Sequence, residues 1–141
     1  MSRAFAVVMM LVILSPLSQA ADDAKKVLEK MQGDWTVVSS NEDGKPTPPE
    51  EFKKYTITIK GEKFILNNGM GDLPMVIALD PTKTPAHIDL TSPDPKEFPS
   101  MTGIYDFRDN TLKIAISEKS MARPKKLNPA NGVMLLELKR K

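Results

Sequence analysis

Gly33-Asp34-Trp35-Thr36-Val37-Val38 carries the chain's only tryptophan and stands where a short charged segment gives way to alternating residues. A strand sends successive side chains to opposite faces, so Trp35, Val37 and Ser39 are expected on one face, with Thr36, Val38 and Ser40 on the other. The tryptophan face is the apolar one and is read as the start of a core. Downstream the same two-residue rhythm returns in short runs separated by turn residues, the pattern of an all-β domain.

Two hairpins carry the register. With Gly61-Glu62 as a two-residue turn, Ile59 falls opposite Phe64 and Ile57 opposite Leu66 on one face, while Thr58 meets Ile65 and Lys60 meets Lys63 on the other. With Asp109-Asn110 as the turn, Phe107 faces Leu112, Tyr105 faces Ile114, Gly103 faces Ile116, and Asp106 meets Lys113 on the solvent side. Hydrophobic pattern and turn position agree in both, which is what specifies a register. Leu73 to Leu79, His87 to Thr91 and Val133 to Lys139 supply further strands. Asn67-Asn68-Gly69, the prolines Pro81 and Pro85, and the loop Ser92 to Ser100 with its three prolines end or separate them. Asn41 to Pro49 is read as a turn-rich connection, and Pro49-Glu50-Glu51-Phe52 as a single helical turn opened by proline and acids.

Upstream, Asp22 to Gln32 begins with acids, continues with bases and places Val27, Leu28 and Met31 on a narrow apolar stripe, so it is expected to be a helix ended by Gly33. A helix this short is marginal alone in water, and it is read as a plug across the mouth of the strands. The chain therefore reads as eight antiparallel strands preceded by one helix. Eight is the strand number at which a closed up-and-down barrel encloses space for packed side chains or one small ligand. An open sandwich is the alternative.

The first twenty residues have the form of a cleaved leader. Arg3 gives a positive start, Ala4 to Leu14 is an unbroken apolar run, and Ser18-Gln19-Ala20 places small residues at the two positions a signal peptidase reads. An uncleaved anchor is the alternative, but the run is short of the roughly 20 residues that span a bilayer. Residues 1–20 are thus expected to be a signal peptide and 21–141 a single exported domain, periplasmic or extracellular, with no membrane span after the leader is removed. The 141 residues include no cysteine, which excludes disulfides, thiol catalysis, thiolate metal sites and a lipidated N-terminal cysteine. Twenty basic and eighteen acidic residues give a net charge of +2, a mixed surface that does not mark a nucleic-acid binder.

The separated blocks Met31 to Val38, Glu42-Asp43-Gly44-Lys45-Pro46, Leu79 to Lys83, Ile88-Asp89-Leu90, Gly103-Ile104-Tyr105 and Leu136 to Arg140 resemble a lipocalin-like family of exported domains abundant in planctomycete bacteria. Gly33-Asp34-Trp35 resembles the Gly-x-Trp signature of the first lipocalin strand, and Leu138-Lys139-Arg140 the end of the last strand, where a basic residue lies across that tryptophan. The resemblance spans nearly the whole mature chain. It implies the barrel and brings no catalytic residues. From the residues themselves, Arg140 lies two positions beyond the inward Leu138, so its guanidinium is expected to stack over Trp35 and close that end.

Chemistry is sparse. The one histidine, His87, alternates with Ile88 and is expected to point outward, with no nucleophile or acid placed beside it. Glu50-Glu51, Asp22-Asp23 and Asn41-Glu42-Asp43 are neighbouring acids expected to be solvated, and no phosphate-cradling glycine loop occurs. No cofactor, metal or catalytic residue is expected. The inward set is aliphatic and aromatic, and Val37, Ser39, Tyr55, Ile57, Phe64, Tyr105, Phe107 and Leu136 are the candidates to line a site for a small apolar ligand. The function expected is a non-catalytic binding module. The alternative is a structural or protein-interaction domain with a filled barrel, touching an envelope protein or an anionic surface through Arg123, Lys125 and Lys126.

Overall fold

The computed structural model describes residues 16–141. Helix α1 (Pro16–Met31) precedes β1 (Gly33–Glu42), β2 (Lys45–Pro46) and the one-turn helix α2 (Pro49–Phe52). Seven more strands follow: β3 (Thr56–Lys60), β4 (Lys63–Asn67), β5 (Asp72–Asp80), β6 (Ala86–Thr91), β7 (Met101–Arg108), β8 (Thr111–Glu118) and β9 (Met134–Arg140). Every pairing is antiparallel. The order β1-β3-β4-β5-β6-β7-β8-β9 returns to β1, so eight strands close a barrel and β2 hangs on the end of β1. Closure leaves the eight with no free edge.

Both hairpins have the register read from the sequence. Ile57 pairs with Leu66 and Ile59 with Phe64, while Gly103, Tyr105 and Phe107 pair with Ile116, Ile114 and Leu112. In the second, Asp109 takes a positive φ of 52°, a conformation that a short polar side chain tolerates in a tight turn.

Three details differ from the sequence reading. First, α1 ends at Met31 but runs back to Pro16, through the expected cleavage point after Ala20. The rest of the expected leader, residues 1–15, lies outside the described residues. Second, the connection after β1 is itself a small hairpin: Asn41 pairs with Pro46 and Glu42 with Lys45. Asp43 and Gly44 turn it at φ 53° and 80°. Positive φ at both central residues is what Asp-Gly favours in a two-residue turn, so this strand had a readable signal.

Third, β1 contains a bulge. Val37 lies opposite Leu138 but Ser39 opposite Glu137, leaving Val38 as an extra residue. One extra residue reverses which face each later side chain takes. Ser39, expected inside, is therefore exposed, and Ser40 is buried opposite Leu136 with its hydroxyl 3.1 Å from that of Thr47. Among the eight candidates for the interior, Ser39 is the one whose facing the structure overturns.

Candidate functional site

The barrel interior is packed solid at its centre. Ile57, Ile88, Leu112, Ile114 and Leu138 each have 0% exposure, so no water-sized space touches any of them. Val37, Phe64, Tyr105 and Leu136 are buried in the same cluster, while Tyr55 and Phe107 are half-buried against it. The candidate lining residues other than Ser39 are thus brought together, as mutual packing partners. Burying each large aliphatic side chain contributes about 1.5–3 kcal/mol, and a cavity among them would forfeit part of that.

One end of this core is shut by α1. Met31, the last helical residue, is fully buried beneath the barrel, and Val27 and Leu28 pack beside it. A helix terminus leaves carbonyls without partners, and the barrel supplies donors for them. The Trp35 indole N–H donates to Met31 O at 2.9 Å. Arg140, opposite Trp35 in the ladder, donates Nη2 to Lys30 O and Nη1 to Gln32 O, both at 2.7 Å. Its guanidinium carbon stands 4.4 Å from the Trp35 ring centroid, the expected stacking, and Phe107 meets the same ring edge-on at 6.1 Å. A positive charge at a helix C-terminus is also favoured by the helix dipole.

Gln32 completes the seam. Its amide donates to Gly61 O at 3.1 Å and accepts from Gly61 N at 2.6 Å, imitating a strand partner for the β3–β4 turn. Gly33 is confined in turn: a Cβ there would stand 3.2 Å from Arg140 Nη1, at a φ of 122° that side chains disfavour.

The basic segment after β8 divides in two. Arg123 lies against the wall of the barrel, donating Nη1 to Gly103 O at 2.7 Å and to Ile88 O at 3.3 Å, and Nη2 to Asp89 Oδ1 at 3.0 Å. Asp89 Oδ1 also accepts from the Thr102 hydroxyl. Arg123 is a strap that ties the segment to β6 and β7, which explains a guanidinium at this position. Its donors face the strands, while Lys125 and Lys126 are exposed.

Among the described residues, ionisable groups do not converge in the interior. His87 is half-buried on β6 opposite Asp80, whose carboxyl is held below its usual range by the hydrogen bond from the Thr82 side chain. Among the described residues no three His, Cys, Asp or Glu side chains group to hold a metal, and no helix is long and apolar enough to cross a membrane.

Tyr105 brings a phenol into the apolar core. It is 5% exposed, its hydroxyl has no hydrogen-bond partner among the described residues, and burial, aided by the Asp80 carboxylate, pushes its pKa up to about 12. In the unfolded chain the phenol ionises near 10.0. The folded state therefore holds the proton more tightly, so this group's stabilisation is complete below pH 10 and is lost as pH rises towards 12. Tyr105→Phe is expected to flatten the fall in urea midpoint across that window. At neutral pH it should leave stability unchanged or raise it by about 1 kcal/mol, because no hydrogen bond is lost. An unaltered alkaline profile would show that the phenol is not the titrating group.

Clefts lie at the rims. One of about 660 Å³ runs between α1 and the end of β5, lined by Ala21, Ala24, Leu28 and Val76 among others and edged by Lys25 and Glu62. Another of about 260 Å³ opens at the opposite rim beside Met101, Met121 and Met134. Neither was legible in the strand pattern, since each joins residues from three or more separate segments. Searches against protein-family models, curated proteins and solved structures find no match to this chain.

Proposed function

We propose that this chain is an exported, lipocalin-like interaction module whose filled barrel is a rigid support and whose binding takes place on its outside. The observation that carries this reading is the absence of water-sized space around Ile57, Ile88, Leu112, Ile114 and Leu138, combined with a helix locked across one mouth by Arg140 and Trp35. A small apolar ligand inside would have to displace those side chains or the helix. Export rests on the leader pattern of residues 1–20.

The surface proposed is the groove between α1 and β5. Val76 is 47% exposed there beside the apolar Ala21, Ala24 and Leu28, with Lys25, Glu29 and Glu62 around it. Apolar centre and charged margin of both signs suit a protein segment with an apolar face. A photo-crosslinking residue placed at position 76 in the native host is expected to yield one discrete protein adduct, and the same residue at exposed position 125 none. Protein from that host should show the bare polypeptide mass in native mass spectrometry. A co-purifying apolar small molecule with no adduct from position 76 would overturn the proposal in favour of an interior ligand.

A further inference from the structure

The rim opposite α1 gathers three methionines from separate segments of the chain. Met101 opens β7, Met134 opens β9, and Met121 lies in the segment between β8 and β9, yet all three line one cleft of about 260 Å³. Met101 and Met134 lie on the inward faces of their strands, and Ile116, opposite both Met134 and the side-chain-free Gly103, forms the floor.

Met121 is the informative member. It is 50% exposed, so it is not a core residue, but its position is held. Its N–H donates to Glu118 O at 2.8 Å, and its methyl group lies 2.6 Å from where a Cβ of Gly132 would stand. Gly132, at φ 75°, leaves that space open, and its N–H is tied to Asp43 Oδ1 at 2.8 Å. A glycine thus lets a half-exposed thioether lie against the backbone at the cleft.

We propose that this cleft binds Cu(I) through the thioethers of Met101, Met121 and Met134. Thioethers are neutral and soft, keep no proton to lose, and select Cu(I) over the hard divalent cations. The carboxylate of Glu118, also at the cleft, offsets the ion's positive charge from outside the sulfur set. Competition within the chain is slight: it has no cysteine and one histidine, His87, at the other end of the barrel. The site is independent of the groove beside α1.

The test is anaerobic titration of the full protein with Cu(I) against a chromophoric chelator, with Ag(I) as a redox-inert second probe. One equivalent is expected to be taken from the chelator, with sulfur ligation in the X-ray absorption spectrum. Met121→Leu and Met134→Leu conserve volume, and each is expected to weaken binding roughly tenfold or more, the loss that even outer-shell changes bring to metal sites. Met70→Leu, at a turn residue 93% exposed, and His87→Gln should have no effect. If Met101→Leu disturbs folding, the exposed Met121 still decides the matter. Failure to compete with the chelator, or affinity unchanged in Met121→Leu and Met134→Leu, would overturn the proposal.

Discussion

Trp35→Ala is expected to lower the stability of the protein by about 4 kcal/mol, in the range for removing a fully buried large aromatic side chain. That is a large share of the roughly 5–15 kcal/mol that holds a domain folded. The indole does three things at once: it fills the closed end of the barrel at 0% exposure, donates to the last helical carbonyl, and stacks beneath Arg140. Alanine leaves a cavity under α1 and an unpaired Met31 carbonyl. Arg140→Ala should cost less, about 2 kcal/mol, because the ring stays buried while the stacking and two charge-assisted bonds to Lys30 O and Gln32 O are lost. The double variant should fall short of the sum of the two, since the groups share one contact. Thermal and urea unfolding of the four proteins measure this, and an unchanged midpoint in Arg140→Ala would show that the stack closes nothing.

The second large effect is expected from the smallest change. Gly103→Ala adds one methyl group, and that carbon would stand 2.1 Å from Ala115 O and 2.7 Å from Ile116 Cγ2. Ile116 can turn aside, but a carbonyl in the β7–β8 ladder moves only with its strand. Overpacking of this kind costs about 3 kcal/mol where backbone must shift. The φ of Gly103 lies outside the positive range, so the demand for glycine here is one of space and not of backbone conformation. Gly103 O also receives Arg123 Nη1, and displacing β7 should loosen that strap. Gly103→Ala is therefore expected both to lose stability and to be cleaved faster at Lys125 and Lys126 under limited proteolysis. A wild-type cleavage rate in the variant would mean that the strand absorbs the methyl group without moving.

Much of the architecture was legible because its signals are local. A hairpin register follows from a turn and the alternation on either side of it, so the pairings Ile57 with Leu66 and Tyr105 with Ile114 follow from spacing alone. The facing of Arg140 towards Trp35 followed from counting by twos along β9. Where counting by twos fails, the inference fails with it: the bulge at Val38 reversed Ser39 and Ser40, and nothing in Val37-Val38-Ser39-Ser40 marks the extra residue. Its cause is the fit of β1 against β9, two chain segments nearly a hundred residues apart.

The candidate site was less legible. Apolar positions facing inward announce a core but not whether it holds a void, because that depends on how side chains from eight strands and a helix interlock. The same is true of Arg123, whose sequence neighbours Lys125 and Lys126 look equally free. Only the arrival of β6 and β7 beside it turned a surface charge into a strap.

By itself the chain's order of residues determined the class of fold, the hairpin registers and the helix before the first strand, since each depends on neighbours within a few positions. Tertiary structure alone decided that the centre is filled, that Ser40 and not Ser39 faces it, and that three methionines share one cleft. Those outcomes depend on distances between segments remote in sequence, and volume in a closed barrel is a property of all its walls together.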